Sequence, residues 1–325
     1  MFRILPAYLA ILLTVGCGVL GGKDSEESDT ATNTTSSAVS TAPLQYTPIV
    51  TFEQYPFQDF PVRSYIPAEP KGVVFVFHGS SGGIGFARKI ETIAVLNELI
   101  LEDIGFILTE STNRQSGQWD TNSPYSSNPD LQRLDALYDL VIQDTSLTAN
   151  TAVFTLGFSN GGGMAGHMGD YALGEGWPIS GMAPHASGCA GCWGTTIPTF
   201  WASGINDPQD SESASNDLAD RGIPTQHHII PELTISGSFF TKDPSVTESK
   251  SQSTFDELVE LAMVDADGVR LTPIDDAEQQ CEWYQNNGSV GGASARADDV
   301  RVAWALHRMN GYYARELAQF FVNQI

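Results

Sequence analysis

The sequence predicts an α/β protein whose sheet is mostly parallel and doubly wound, with helices on both faces. Short apolar runs of strand length alternate with longer segments in which apolar residues recur at helical spacing. Several runs are apolar throughout, as expected for strands that helices cover on both sides. The polar residues with reactive side chains follow the ends of these runs, where parallel sheets gather their functional groups.

The first half of the alternation supplies three candidate strands and two candidate helices. Apolar residues recur at helical spacing between Phe86 and Ile104. Asn128–Gln143 repeats leucine along one helical face, and Pro129 stands in its first turn, where a missing N–H does no harm. The candidate strands are Val62–Ile66, Gly72–Phe77 and Ile104–Thr109.

The second half continues the alternation and then departs from it. Residues 233–300 do not fit the pattern, so we predict an insertion or lid there, containing a helix at Thr254–Val264. The candidate strands are Thr151–Leu156, Ile179–Ala183, Ile197–Ala202 and Thr225–Ile230. The other candidate helices are Asn160–Met168, one that includes Asp217–Arg221, and the closing amphipathic helix Tyr312–Val322.

Residues 1–17 are predicted to be an export signal. A basic start precedes the apolar stretch Ile4–Val15, whose 12 residues are too few to span a bilayer, which needs about 20. The stretch closes with Gly16-Cys17, which resembles the bacterial lipoprotein signal, although Thr14 replaces its usual leucine. In that signal the cysteine is lipidated, so Cys17 predicts a cell-envelope lipoprotein, periplasmic or at the surface. The alternative is an ordinary secretory signal and a secreted protein.

Composition limits the partners of the folded part. Residues 18–44 contain almost nothing to bury and are predicted to be a disordered linker before a folded domain at 45–325. The chain has 39 Asp and Glu against 16 Lys and Arg, a formal net charge of −23. Nucleic acid and anionic lipid surfaces would repel such a domain, so a lipid at Cys17 is the one membrane attachment we predict.

The cysteines predict a disulfide rather than a metal site. If Cys17 carries lipid, the remaining thiols belong to Cys189, Cys192 and Cys281, enough for one intramolecular disulfide in an exported protein. Which two residues pair stays open. No second Cys or His pair stands at zinc-ligand spacing, and no metal is expected.

The run Gly157-Phe158-Ser159-Asn160-Gly161 follows a predicted buried strand and opens a predicted helix. A sharp strand-to-helix bend needs residues with almost no side chain on either side, and glycine provides that. The Ser159 hydroxyl would then stand at the apex of a nucleophile elbow. With this motif the chain resembles the α/β-hydrolases, more closely secreted esterases related to feruloyl esterases and polyhydroxybutyrate depolymerases. The resemblance covers about 71–207 and the closing helix.

That resemblance implies roles for the residues around the elbow. Ser159 would be the nucleophile, and the amide of Asn160 would help to bind the oxyanion. A second amide is expected from the turn His78-Gly79-Ser80, and we assign it to Ser80. His78 precedes the elbow in the chain and is expected to be structural.

The acid and the base should follow the serine in the order acid, then histidine. Asp207 ends a predicted strand and resembles the family's acid. His307 lies just before the closing helix, where the family places its base. The alternatives are Asp210 and Asp243 for the acid and His227 and His228 for the base.

The predicted function is a serine esterase that cleaves carboxylic esters, small or polymeric, through an acyl-enzyme and without a cofactor. Trp119 follows a strand end and is assigned to the substrate pocket, although it could instead pack on its own segment. Within the same class the alternatives are a polyester depolymerase and a serine peptidase. A non-catalytic, surface-tethered binding module is the alternative of another class.

Overall fold

An eight-stranded sheet with helices on both faces organises the described residues, 42–207, 209 and 211–325, in this computed structural model. The strands are β1 (Glu53–Phe57), β2 (Phe60–Tyr65), β3 (Gly72–Phe77), β4 (Ile104–Thr109), β5 (Ala152–Phe158), β6 (Ile179–His185), β7 (Thr199–Gly204) and β8 (Thr225–Ile230). They lie in the order β1-β2-β4-β3-β5-β6-β7-β8. β2 runs antiparallel to β1 and β4, and the other neighbouring pairs are parallel. The predicted fold class is confirmed.

Helices alternate with these strands and then gather in the predicted insertion. The helices are α1 (Ile90–Leu101), α2 (Pro129–Asp144), α3 (Asn160–Gly174), α4 (Glu212–Asp220), α5 (Glu248–Glu260), α6 (Ile274–Asn287), α7 (Ala293–Ala303) and α8 (Ala314–Val322). A short 3-10 helix, Ile84–Arg88, leads into α1.

The two faces of β3 belong to two different apolar layers. All six of its residues are buried, so the strand is covered on both sides. Val73 and Phe75 pack in the layer that holds buried residues of α2 and α3. Val74 and Val76 point the other way and pack with buried residues of α1 and α8. This alternation places β3 between the two apolar layers of the sheet.

The antiparallel edge was not predicted. β1 has the sequence Glu-Gln-Tyr-Pro-Phe, and all five of its residues are partly or fully exposed, so it has no buried apolar run. Its turn into β2 is made by Gln58 and Asp59, with φ values of 49° and 65°. Neither residue is the glycine that usually signals such a hairpin.

The predicted insertion forms an apolar cluster of its own from α5, α6 and α7. The helix expected at Thr254–Val264 begins earlier, because the Thr247 hydroxyl caps α5 by accepting the Lys250 N–H at 3.3 Å. It also ends earlier, since Ala262 adopts a φ of 52°. α6 and α7 were not predicted, and α7 continues past residue 300 to Ala303.

A disulfide joins Cys189 and Cys192, and Cys281 is buried with a free thiol. The prediction of a disulfide is thereby confirmed and its pairing established. The bridge packs against α3, where a Cβ on Gly166 would stand 2.5 Å from the Cys189 Sγ.

The signal peptide at 1–17, its lipidation Cys17 and linker residues 18–41 lie outside the described residues. These assignments stay predictions. Among the helices that are described, none is both long and apolar enough to cross a membrane.

Candidate active site

Ser159 occupies the bend between β5 and α3 in a strained backbone conformation. Its φ of 56° and ψ of −122° fall in a region that residues with a side chain rarely adopt. The Ser159 N–H donates to the His185 carbonyl at 2.9 Å, and its own carbonyl accepts the Gly162 N–H at 2.8 Å. These bonds fix the bend on both sides and hold the hydroxyl at the corner.

Two glycines allow the backbone to close around this bend. A Cβ on Gly157 would lie 1.9 Å from the Gly161 carbonyl oxygen, and one on Gly161 would lie 2.3 Å from the Phe77 oxygen. No side chain can be accommodated at such distances, so both positions require glycine. The bend is thereby pressed against the end of β3.

The structure brings Ser159, His307 and Asp207 into one hydrogen-bonded series. The Ser159 Oγ lies 2.8 Å from the His307 Nε2. The His307 Nδ1 lies 3.1 Å from each carboxylate oxygen of Asp207. The Asp207 side chain is fully buried, whereas the His307 ring is one-third exposed. This arrangement can pass the serine proton to an imidazole whose other nitrogen is held by a carboxylate.

Two loops that are about 100 residues apart in sequence hold this series together. We call Gly204–Asp207 the acid loop and Trp304–Asn310 the histidine loop. A Cβ on Gly204 would stand 1.9 Å from the Ala305 carbonyl oxygen, so the loops touch backbone to backbone. Asn206 joins them, donating its N–H to the Ala305 oxygen at 3.3 Å and its Nδ2 to the Trp304 oxygen at 2.8 Å.

The alternative histidines are engaged elsewhere. His227 and His228 lie within β8, at the sheet edge. The His227 Nε2 is 2.9 Å from the Ser211 Oγ, and the His228 ring stacks on Phe200 at 4.7 Å. His307 lies in a loop beyond the end of α7, which ends at Ala303.

The alternative acid Asp243 is engaged with another partner. Asp243 pairs with Arg296 at 2.8 Å, far along the chain from the acid loop. Asp210 lies outside the described residues.

Two backbone amides beside the bend are available to a ligand. Among the described residues, the N–H groups of Ser80 and Asn160 have no hydrogen-bond acceptor. The two amides that follow Ser80 are occupied, because Ser81 donates to the Ser116 oxygen at 2.9 Å and Gly82 to the Gly79 oxygen at 3.0 Å. The turn at 79–82 therefore leaves the Ser80 amide as a donor beside Ser159.

His78 supports this turn from below. Its Nδ1 donates to the Gly79 oxygen at 2.8 Å, and its Nε2 accepts the Ser111 N–H at 3.3 Å. Burial lowers the pKa of this imidazole, which keeps it neutral in that one tautomer. These contacts agree with the structural role expected for His78.

The structure does not place Trp119 where the sequence assigned it. The residue is only 3% exposed and is absent from the cleft wall beside Ser159. Its indole Nε1 donates to the His78 oxygen at 2.9 Å, and its backbone N–H donates to the Asn160 Oδ1 at 2.7 Å. Trp119 thus braces the two segments that carry the free amides, and its loop folds inward because both indole and backbone find partners there.

The cleft beside Ser159 has a volume of about 600 Å³. One part of its wall is apolar and the other carries charged side chains, several of them from α7 of the insertion. The apolar lining residues are Phe86, Ile90, Phe158, Ala295, Val302 and Met309. The charged lining residues are Arg88, Lys89, Glu91, Asp243, Arg296, Asp298, Asp299 and Arg308. Within the part of the chain that the structure describes, no three His, Cys, Asp or Glu side chains are grouped to hold a metal ion.

The order of these residues along the chain, serine, acid, then histidine, occurs here on a mostly parallel sheet with a strained serine bend. This is an α/β-hydrolase fold. Chain order matters because the same three side chains follow other orders on unrelated folds.

Comparison with known proteins adds distant likenesses to that α/β-hydrolase fold. No protein-family model and no curated protein matches the sequence. An esterase from Pyrobaculum calidifontis is 12% identical with a TM-score of 0.43, over 62% of this chain and 85% of that one. S-formylglutathione hydrolase from Staphylococcus aureus is 15% identical with a TM-score of 0.42, over 56% of this chain and 91% of that one. Est1E from Butyrivibrio proteoclasticus, bound to ferulic acid, is 12% identical with a TM-score of 0.40, over 55% of this chain and 89% of that one. At these TM-scores the likeness carries no weight, and the assignment depends on this chain's own geometry.

Sequence reasoning missed two kinds of site residue. Gly204 and Asn206 stand inside the segment recognised for its acid, and a glycine just before that aspartate was a usable signal of close approach. The charged residues of α7 carried no such signal. Their position depends on how the insertion packs, which no local pattern encodes.

Proposed function

We propose that this protein is a serine hydrolase that cleaves carboxylic esters through an acyl-enzyme. One observation carries the proposal: the Ser159 hydroxyl lies 2.8 Å from one nitrogen of the His307 ring, and the other ring nitrogen contacts the buried carboxylate of Asp207. A serine hydroxyl is a weak nucleophile until a base removes its proton. The strained bend and the two free amides are the other parts that this chemistry needs.

The geometry supports the following steps. Asp207 accepts only, so the proton of His307 resides on Nδ1 and Nε2 is free to take the proton of Ser159. The Oγ attacks the acyl carbon, and the amides of Ser80 and Asn160 stabilise the oxyanion. His307 returns the proton to the departing alcohol oxygen, which leaves an acyl-serine. Water then repeats the sequence, releasing the acid and restoring Ser159.

The cleft favours a small ester over a long polymer as substrate. Its volume of about 600 Å³ lies within the usual range of pockets that enclose small ligands. The reaction proposed here uses protein groups and water.

Hydrolysis of short nitrophenyl esters tests the proposal. We expect Ser159→Ala to lower kcat by roughly 10⁴-fold or more, because the covalent step is removed. Ser236→Ala, an exposed serine of the insertion, is the matched control and should retain activity.

A fluorophosphonate probe provides a second, independent readout. It should label wild type once, at Ser159, and should fail to label Ser159→Ala. Unchanged turnover in that variant, or an unlabelled wild type, would contradict the proposal and favour a binding module.

A further inference from the structure

Asn206, which joins the acid loop to the histidine loop, has a further partner outside both loops. Its Nδ2 donates to the Trp304 oxygen at 2.8 Å and to the Glu232 Oε1 at 2.5 Å. Both acceptors require a donor at this place, so the amide has one possible orientation. A hydrogen bond to a carboxylate is also shorter and stronger than one between neutral groups. Glu232 therefore fixes a side chain that ties the two loops together.

Glu232 stands between the end of β8 and the start of the insertion. Just before it, the Ile230 oxygen accepts the Ile205 N–H of the acid loop at 2.9 Å. Just after it, the Leu233 N–H donates to the Ala303 oxygen, at the end of α7, at 2.7 Å. The backbone around Glu232 is thus bonded on one side to the acid loop and on the other to the helix that leads into the histidine loop.

The Glu232 carboxylate is held in turn by Arg270 of the insertion. The Arg270 Nη2 donates to the Glu232 Oε1 at 2.6 Å and its Nε to the Oε2 at 3.4 Å, so the guanidinium contacts both carboxylate oxygens. Burial acts to raise the pKa of Glu232, but the hydrogen bonds from Arg270 and Asn206 outweigh it and lower that pKa. The carboxylate therefore stays ionised and accepts from both donors at neutral pH.

A tight turn holds the backbone of Arg270 in place. Val264 and Arg270 face each other as an isolated antiparallel bridge. Between them, the Gly268 oxygen accepts the Ile235 N–H at 3.0 Å, and a Cβ on Gly268 would stand 1.9 Å from the Ile235 oxygen. The Arg270 side chain is only 15% exposed, and it also donates to the Thr272 oxygen. The guanidinium thus reaches Glu232 from a fixed base rather than from a free surface loop.

We propose that Glu232 and Arg270 are positioning residues: they hold Asn206, and through Asn206 they set the distance between Asp207 and His307. Neither belongs to the described residues that line the cleft, so their effect is transmitted by the loops and not by contact with substrate. This inference rests on the proposed function, in which His307 transfers the proton of Ser159. It also gives the insertion a part in that reaction, since Arg270 belongs to it.

Three substitutions test the role by ester turnover. Glu232→Ala removes the acceptor of Asn206 and should lower kcat on a nitrophenyl ester roughly tenfold with KM changed less than about twofold, because a displaced base slows chemistry without weakening binding. Glu232→Gln still offers an oxygen to Asn206 and Arg270, so kcat should stay within about threefold of wild type. Asp217→Ala is the matched control, because it removes the carboxylate of another arginine pair, with Arg221 at 3.1 Å at the end of α4.

Nitrogen NMR provides a readout that needs no turnover. The shift of the His307 Nδ1, assigned by its loss in His307→Gln, reports the hydrogen bond to Asp207. We expect this shift to move in Glu232→Ala and to stay at the wild-type value in Glu232→Gln and Asp217→Ala. Arg270→Met should move the shift and kcat in the same direction as Glu232→Ala, by a smaller amount. Thermal unfolding checks that each variant is folded, and Arg270→Met decides the question if Glu232→Ala is not.

The two readouts separate this role from the esterase proposal. A moved His307 shift in Glu232→Ala supports the positioning role even if wild type hydrolyses no ester, which would contradict the esterase proposal alone. An unmoved shift in the folded variants overturns the positioning role, whatever happens to kcat. Equal falls of kcat in Glu232→Ala and Asp217→Ala overturn it as well, because the effect would then belong to any lost ion pair.

Discussion

At the scale of single residues, the site depends on groups that have one possible hydrogen-bonding role. The Gly79 carbonyl can only accept, so the His78 Nδ1 must donate to it and the Nε2 must accept from Ser111. The same reasoning applies to His307 between Asp207 and Ser159. Trp119 extends this supporting layer, since it contacts both His78 and Asn160. The free amides of Ser80 and Asn160 are thus held from behind by side chains that do not line the cleft.

Trp119→Phe tests this supporting role. The change removes the indole N–H and leaves the His78 oxygen without its donor, so the turn that carries Ser80 should shift. We expect kcat on a nitrophenyl ester to fall roughly tenfold with KM changed less than about twofold, because the amides act on the oxyanion rather than on the bound ester. A rise in KM at constant kcat would instead mean that the indole contacts substrate. Thermal unfolding of the variant, measured alongside, checks that the protein is folded.

At the scale of elements, the site requires that strand ends and loops approach without side chains between them. β7 ends at Gly204, directly against Ala305 of the histidine loop, and Asn206 adds two hydrogen bonds between the same loops. This contact sets the distance between Asp207 and His307. Because the histidine loop follows α7, one continuous segment positions both the insertion and the hydrogen-bonded series of Ser159, His307 and Asp207.

Gly204→Ala should separate the two loops. The new Cβ would stand 1.9 Å from the Ala305 oxygen, so the backbone must move, and overpacking of this kind costs about 1–3 kcal/mol of unfolding free energy. We expect kcat to fall on the order of 100-fold, since a displacement near 1 Å has that effect. Gly174→Ala in α3 is the matched control: a Cβ there meets nothing within 4 Å, so activity should be unchanged and stability equal or higher. Chemical denaturation measures the free energy of unfolding, and ester turnover measures kcat. Equal stability and equal kcat in the two variants would contradict the close contact between the loops.

At the scale of the whole molecule, one titratable group stands out in the core. His185 ends β6 beneath the serine bend, 3% exposed, and neither ring nitrogen has a hydrogen-bond partner among the described residues. Burial, and secondarily the nearby His228, lower the pKa of this imidazole to about 4. The unfolded chain, with a histidine pKa near 6.5, binds the proton more readily. Stability contributed by His185 is therefore present above pH 6.5 and is lost as pH falls towards 4.

His185→Leu should make stability less sensitive to acid. A pKa difference of this size corresponds to about 3 kcal/mol of unfolding free energy, lost between pH 6.5 and about pH 4. Asp299 acts in the opposite sense, since burial raises the pKa of its carboxyl to about 6, and comparison of wild type with the variant cancels its effect. Urea unfolding on both sides of the window should show a smaller acid loss for His185→Leu. Parallel curves for the two proteins would mean that the native His185 ring takes up a proton as readily as the unfolded chain does.

Much of this protein follows from local pattern. β3 and β4 occur at their predicted bounds, because continuous apolar runs of strand length can be buried in few other ways. β8 also occurs at its predicted bounds, although only part of its sequence is apolar. Ser159 between two glycines indicated the bend, and the bend in turn indicated where an acid and a base would be needed. The resemblance favoured His307 as the base, but local pattern could not exclude the pair His227 and His228, since that choice depends on which loop meets the bend in space.

Local pattern alone thus determined the α/β class, the central strands and the serine at its bend, because short-range backbone chemistry sets each of them. Tertiary packing decided the pairing of Cys189 with Cys192, the inward turn of Trp119 and the charged cleft wall made by α7. Each of these depends on a contact between segments distant in sequence or on a choice among equal partners. Such contacts are settled by the burial of apolar surface and the pairing of polar atoms across the whole chain, which no short stretch of residues specifies.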